Sequence, residues 1–182
     1  MAGWALADLT STLNFKKVAI SVLLTLLLLP QALYFDFLLL TDIAKAPLPR
    51  EERKGYLEDW TAGYGLKEIA QFLDAQSQKE DLVVGTEGAF GTLPDGLQIY
   101  LDKNRKVTVI GGGNQVSDQI KNTAFDHPTF FVANRSRYSS FEGNLELIRE
   151  YPKAVGPLNP PDSILLFQVL PEKNATSSGK LR

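Results

Sequence analysis

The sequence predicts an α/β protein in which one N-terminal transmembrane helix precedes a small three-layer domain with a mainly parallel sheet of about four strands. Two observations predict this fold. The apolar run at residues 18–40 carries a single charged residue, Asp36, whereas charged residues recur throughout the chain beyond it. In that second part, short apolar runs typical of buried strands alternate with runs of helical periodicity, which favours a parallel sheet covered on both faces.

Residues 18–40 form the predicted transmembrane helix. As an α-helix these 23 residues would be about 35 Å long, enough to cross a hydrocarbon core of about 30 Å with some tilt. A signal peptide is the main alternative, because Lys16 and Lys17 resemble a charged leader, but the apolar run is too long for one and no cleavage site follows it. Pro30 is expected to kink the helix, and Asp36 would be costly facing lipid. Both suit a helix that packs among other transmembrane helices, although Asp36 could instead mark the interfacial end.

Changes in composition and the positions of prolines divide the chain into five predicted parts. These are an N-terminal flank (1–17), the transmembrane helix (18–40), a juxtamembrane connector (41–62), a soluble α/β domain (63–170) and a disordered tail (171–182). Pro47 and Pro49 are expected to keep the connector free of helix. The tail is polar throughout, which is typical of a segment that cannot form a core.

The soluble domain is predicted to alternate between helices and strands. The first helix, at 66–78, places Leu66, Ile69 and Leu73 on one face, and a helix at 117–125 begins with Ser117 as a cap. Further helices are predicted at 92–101 and 143–151. The predicted strands are the apolar runs at 81–87, 106–112, 129–136 and 163–170.

The composition excludes several kinds of site. With no cysteine, the chain has no disulfide framework, thiolate zinc site or cysteine nucleophile. The one histidine, His127, cannot form an imidazole cluster. The formal net charge is −2, with basic and acidic residues interleaved, so no basic surface for nucleic acid is indicated. We therefore predict no catalytic, metal-binding or cofactor-binding residues, and no cofactor.

Polar residues follow the predicted strands where a ligand could bind. Glu87, Asn114 and Asn134 each lie at or just beyond a strand end, and ligands of α/β sheets bind at the carboxyl ends of strands. Glu87 is the candidate ligand-binding residue of the three, with a turn-stabilising carboxylate as the simpler interpretation. A weaker hypothesis is a self-sufficient hydrolase that uses Glu87, Asp95 and His127.

The segment YLEDWTAGYG is the most distinctive in the chain. Tyr56, Trp60 and Tyr64 recur every four residues, and Gly63 and Gly65 then permit tight backbone geometry. Aromatic residues beside a membrane span often lie at the level of the headgroups. The three aromatic side chains are therefore candidates for a ligand-binding or membrane-proximal surface, and packing against the domain is the alternative.

This segment carries a resemblance to a known family. The stretch APLPREERKGYLEDWTAGYGLKEIAQFL resembles the junction between the last transmembrane helix and the C-terminal soluble domain of bacterial dolichyl-phosphate-mannose-protein mannosyltransferase-like (family 39-like) glycosyltransferases. The family pattern is filled here by Tyr56, Trp60, Gly63–Tyr64–Gly65 and Glu68, with Gly55 where glutamine is usual. The segments TEGAFGTLPDGLQIYL and SILLFQVL also resemble that domain, so the likeness covers roughly residues 18–170.

The resemblance implies a membrane enzyme with many helices that transfers a sugar from a polyprenyl-phosphate donor on the extracytoplasmic side. The catalytic acid of that family lies in an early loop, to which nothing in this sequence corresponds. We therefore expect a C-terminal, membrane-anchored accessory domain, as a fragment or split part of such a glycosyltransferase. Its expected partners are the lipid bilayer, other transmembrane helices and the polyprenyl-phosphate sugar. The alternative is a single-span membrane protein whose α/β domain binds a partner or small ligand without catalysis.

Overall fold

The computed structural model describes residues 15–138, 144–155 and 161–171. The chain divides into two compact units, Met1–Leu48 and Pro49–Arg182, each of which is described by itself. The predicted disordered tail lies outside the described residues except for Pro171, and most of the predicted N-terminal flank lies outside them as well.

The first unit contains one long helix, α1 (Phe15–Thr41), followed by a short 3₁₀ turn, Ile43–Lys45. The helix runs without interruption through Pro30 and ends where the Thr41 hydroxyl donates to the Phe37 carbonyl at 2.6 Å. Within Lys17–Thr41, the most apolar window of 18 residues has a mean hydropathy of 2.1 and contains no buried residue. By length and composition this helix can cross a membrane.

The second unit opens with a helical segment that the sequence did not predict. Helix α2 (Arg50–Arg53) continues directly into a π-helical turn, Lys54–Glu58. The expectation that Pro47 and Pro49 keep the connector free of helix is therefore wrong beyond Pro49. Pro49 occupies the N-cap position, where its carbonyl accepts from the Arg53 amide at 2.9 Å and the N–H that a proline lacks is not needed for the helix.

A five-stranded mixed sheet forms the centre of this unit. Along the chain the remaining elements are α3 (Leu66–Ser77), β1 (Leu82–Thr86), α4 (Thr92–Leu101), β2 (Val107–Gly111), α5 (Asp118–Thr123), β3 (Thr129–Asn134), β4 (Leu145–Pro152) and β5 (Ser163–Val169). The strand order is β2-β1-β3-β5-β4. The first three strands are parallel, and β5 pairs antiparallel with both β3 and β4.

The α/β fold class is confirmed, and the strand added to the predicted four is β4. The segment 143–151 is predicted as a helix, and this is wrong. A register shift between Leu147 and Arg149 breaks the two-residue alternation of the strand. Leu145, Ile148 and Tyr151 are consequently the half-buried positions, and their spacing of three imitates a helical face.

The sheet has a hydrophobic cluster on each face, which makes the domain three-layered. On one face, α3 and α4 contribute Leu66, Ile69, Leu73 and Leu97 to a cluster with side chains of β1, β3 and β5. On the other face, Ile120 of α5 packs with further side chains of β3 and β5. Both faces of the central strands are buried, as their continuous apolar sequences indicate.

Gly65 has a structural role within the YLEDWTAGYG segment. It caps α3 with a φ of 86°, in the left-handed region that disfavours L side chains. A Cβ atom at this position would lie 2.5 Å from the Cβ atom of Tyr151, on β4. Gly63, two residues earlier, has room for a methyl group, since its nearest neighbour is Leu66 Cδ1 at 3.6 Å.

We expect Gly65→Ala to destabilise the fold and Gly63→Ala to leave it nearly unchanged. The left-handed conformation alone costs an L residue about 1–2 kcal/mol, and the approach to Tyr151 adds to this cost. Chemical denaturation of both variants in detergent measures the difference. Equal stabilities of the two variants would contradict the described geometry.

A buried polar cluster and its adjoining cleft

Four buried polar side chains meet at one edge of the sheet and are called here the buried polar cluster: Glu87, Asn134, Lys153 and Asp162. Glu87 follows β1, and Asn134 ends β3, which is parallel to β1. Lys153 follows β4, and Asp162 precedes the antiparallel strand β5. These strand directions bring all four residues to the carboxyl edge of the parallel strands.

The Lys153 ammonium is the centre of the cluster. Its Nζ donates to the Asp59 carbonyl at 2.8 Å, to Asp162 Oδ2 at 3.1 Å and to Asn134 Oδ1. An ammonium group has three donors, so all of them are used. The side chain of Lys153 is fully buried and that of Asp162 is 1% exposed, so each charge is compensated by the other.

Burial lowers the pKa of Lys153 from its ordinary 10.5, because desolvation disfavours the charged ammonium. The neighbouring Asp162 carboxylate opposes this shift. The second oxygen of Asp162 accepts from the Ser136 amide at 2.9 Å. The ion pair therefore also fixes the turn that follows β3.

Glu87 is held by two partners from β3 and the turn after it. Its Oε1 accepts from Asn134 Nδ2 at 2.7 Å. Its Oε2 lies 3.1 Å from Arg137 Nε, close enough for an ion pair. Among the described residues, this oxygen accepts no hydrogen bond. The carboxylate is only 2% exposed. It is placed to hold Arg137 by charge and has little access to solvent.

A cleft of about 570 Å³ lies beside this cluster. Its lining comprises Arg50, Glu51, Lys54, Glu58, Asp59, Trp60, Ser136 and Arg137. One wall is the helical segment at the start of the unit, and the other is the turn after β3. Three basic and three acidic side chains line it, together with one aromatic ring.

Ion pairs and one aromatic contact shape the cleft walls. Buried Glu58 accepts from Arg50 Nη1 at 2.6 Å and from Arg53 Nε at 2.8 Å. The Arg137 guanidinium carbon lies 4.2 Å from the centre of the Trp60 ring, within the range of a cation–π contact. Lys54 Nζ is 3.9 Å from Asp59 Oδ2 and half exposed. This distance exceeds a hydrogen bond, so the ammonium is accessible to a ligand.

The structure brings some of the sequence-predicted residues together and separates others. Glu87 and Asn134 are in direct contact, and Trp60 lines the adjoining cleft. Asn114 lies instead in an open depression before α5. Tyr56 and Tyr64 are exposed and do not line the cleft.

The three residues of the hydrolase hypothesis do not form a site. His127 precedes β3 and Glu87 follows the parallel strand β1, so they lie at opposite ends of the sheet. Asp95 accepts a hydrogen bond from the Gly91 amide at 2.8 Å, at the start of α4. Within the described ranges, no group of three or more His, Cys, Asp or Glu side chains could hold a metal ion.

Sequence reasoning did not identify Lys153, Asp162 or Arg137. The described pairing joins β4 to β5, and it requires the segment 143–151 to be a strand. Once that segment is read as a strand, Lys153 and Asp162 lie at the two ends of an antiparallel connection. A charged residue at each end of such a connection is the signal that could have suggested an ion pair.

We expect Lys153→Met to destabilise the unit by about 3–5 kcal/mol, because the buried Asp162 carboxylate would lose its counter-charge. Lys67→Met, at an exposed position on α3, is the matched control and should change stability by no more than about 0.5 kcal/mol. Denaturant unfolding of the three proteins measures both values. A loss at position 153 as small as that at position 67 would contradict the ion pair.

The difference in stability between the wild-type chain and Lys153→Met should depend on pH. The pKa of Lys153 is lowered from 10.5 in the folded chain. At a pH between this lowered pKa and the ordinary pKa of the unfolded chain, the unfolded state therefore binds more protons than the folded state. The contribution of this side chain to stability therefore rises with pH over that interval. The free-energy gap between wild type and Lys153→Met should widen as the pH is raised towards 10.5. A gap that narrows would contradict the direction of the shift.

Comparisons of the chain with protein-family models, curated proteins and solved structures give no match. The resemblance to family 39-like glycosyltransferases therefore stays a prediction from the sequence segments themselves.

Proposed function

We propose that the chain is a membrane-anchored accessory domain of a glycosyltransferase that uses a polyprenyl-phosphate sugar. In this proposal α1 lies in the bilayer beside other transmembrane helices, and the α/β unit lies on the extracytoplasmic side. The unit binds and positions a substrate at the cleft, and a catalytic loop on another part of the enzyme carries out the transfer.

The observation that carries the proposal is the position of Trp60. This residue belongs to the segment that resembles the glycosyltransferase junction, and it forms a wall of the cleft together with Arg137. A polyprenyl-phosphate sugar offers a phosphate for basic side chains and a sugar ring for an aromatic face. Lys54 and Trp60 supply these two kinds of group within one cleft.

The apolar helix supports membrane anchoring. The Lys17–Thr41 stretch is long enough to cross a bilayer, and no residue in its most apolar part is buried by the rest of the chain. Exposed apolar surface on this scale is unfavourable in water. A bilayer and neighbouring helices would cover it.

The burial and the contacts of Glu87 favour a binding role for this chain over a catalytic one. A general acid or base must reach the reacting atoms, whereas Glu87 is buried and contacts Asn134 and Arg137. Its position relative to Arg137 suits a residue that orients the cleft wall. The chemistry of transfer is therefore assigned to a part of the enzyme outside this chain.

The balanced charge of the cleft favours a second candidate function. Arg50, Lys54 and Arg137 are offset by Glu51, Glu58 and Asp59, and a neutral or zwitterionic ligand suits such a surface. In this alternative the chain is a single-span membrane protein whose domain binds a small ligand or a peptide without taking part in catalysis.

Substitution of Trp60 tests the leading proposal. We expect the full chain in lipid nanodiscs to bind a radiolabelled short-chain polyprenyl-phosphate mannose saturably. Trp60→Ala should weaken binding by about tenfold, equivalent to about 1.4 kcal/mol, because the ring is lost from the cleft wall. Tyr100→Ala is the matched control, since Tyr100 is exposed on α4 and does not line the cleft.

Lys54→Gln separates the two candidate functions. It should weaken binding of the phosphate-bearing ligand and leave binding of methyl mannoside unchanged. Absence of saturable binding by the wild-type chain, or equal binding by Trp60→Ala, would contradict the leading proposal. Saturable binding of neutral ligands alone would favour the second function.

A further inference from the structure

We infer that three exposed aromatic side chains at the carboxyl edge of the parallel strands insert into the headgroup layer of the membrane that holds α1. These residues, Tyr56, Tyr64 and Phe90, are called the aromatic rim. The inference rests on the membrane anchoring in the proposed function and adds a second membrane contact, made by the α/β unit itself.

Hydrogen bonds join the segments that carry the rim. The Thr61 hydroxyl donates to the Gly55 carbonyl at 2.8 Å, next to Tyr56. The Thr92 hydroxyl donates to the Thr61 carbonyl at 2.7 Å, which ties the loop of Phe90 to the same place. Tyr56 and Phe90 therefore project from neighbouring segments, although they are far apart in sequence.

Phe90 occupies a position that is unfavourable in water. Its side chain is 81% exposed, and that of Tyr56 is 66% exposed. Phe90 lies in a turn between Gly88 and Gly91, both of which have positive φ. A turn of this kind holds the ring away from the domain, where it contributes nothing to the core.

The chemistry of the rim fits a lipid interface. Tyrosine has an apolar ring and a polar hydroxyl, and such residues are enriched at the boundary between hydrocarbon and water. Phenylalanine contributes apolar area that enters the acyl boundary. The basic side chains of Arg50 and Lys54, on the same helical segment as Tyr56, are about half exposed, and basic side chains near a bilayer surface are attracted to anionic lipids.

The short chain that connects α1 to the α/β unit favours a membrane, rather than another protein, as the partner of the aromatic rim. Helix α1 ends at Thr41, and the α/β unit begins at Pro49. The chain between them can span at most roughly 30 Å even when fully extended. The unit is therefore confined near the bilayer surface, where a weak aromatic contact is formed at high effective concentration.

Site-specific fluorescent labels test this inference on the full chain. The protein has no cysteine, so single substitutions Phe90→Cys, Phe125→Cys and Leu28→Cys each give one labelled site. Phe125 is also exposed, but it precedes β3 and lies at the opposite edge of the sheet. Leu28 lies within α1 and reports on anchoring alone.

Each labelled protein is placed in phosphatidylcholine vesicles that contain a minor fraction of phosphatidylglycerol. We expect a spin-labelled lipid with a shallow quencher to quench the label at position 90 at least roughly twofold more than the label at position 125, as interfacial insertion requires. Aqueous iodide should show the reverse order. A deep quencher should act mainly on the label at position 28.

A second variant tests the rim without labelling Phe90. Phe90→Asp should not disturb the fold, because the ring is exposed, but it should expel the rim from the interface. A label at Tyr56→Cys should then lose its quenching by the shallow lipid. Retention of that quenching would overturn the inference.

The outcomes distinguish this inference from the proposed anchoring. If the label at position 28 is in lipid while that at position 90 is in water, the rim does not insert and the anchoring stands. If both labels are in water, both proposals fail. Equal quenching at positions 90 and 125 would also overturn the inference, since it would show no preferred face.

Discussion

The buried ammonium of Lys153 is the interaction on which the organisation of the α/β unit at the cleft depends. It joins three segments that are distant in sequence: the turn at Asp59, the end of β3 at Asn134 and the start of β5 at Asp162. Burial of an unpaired charge would cost several kcal/mol, so the arrangement is stable only while every donor has a partner. The hydrogen bond from this ammonium to the Asp59 carbonyl thereby ties the helical segment at the start of the unit to the end of the sheet.

The contacts continue from this ammonium to the surface of the cleft. Asn134 accepts from Lys153 and donates to Glu87, and the charge of Glu87 holds Arg137. Arg137 in turn lies against the ring of Trp60. A carboxylate with this position orients a wall of the cleft, which is why we propose that this chain binds substrate and that another part of the enzyme carries out the transfer.

Local sequence patterns predicted part of this arrangement. Glu87 and Asn134 follow apolar strands, and parallel pairing of β1 and β3 brings them together as expected. The helix predicted at 143–151 is wrong because the register shift in β4 gives its half-buried residues a spacing of three. That error concealed Lys153 and Asp162, whose contact depends on β4 being a strand. The cation–π contact of Trp60 with Arg137 is likewise long-range, so no local pattern could show it.

A double-mutant cycle measures most directly whether Lys153 and Asp162 act as one unit. Lys153→Met, Asp162→Asn and the double variant are unfolded in denaturant beside the wild-type chain. We expect the double variant to be less destabilised than the sum of the single variants, by about 1–3 kcal/mol, because removing both charges leaves neither uncompensated. Additive losses would contradict this expectation, since they would show that the two side chains stabilise the fold independently.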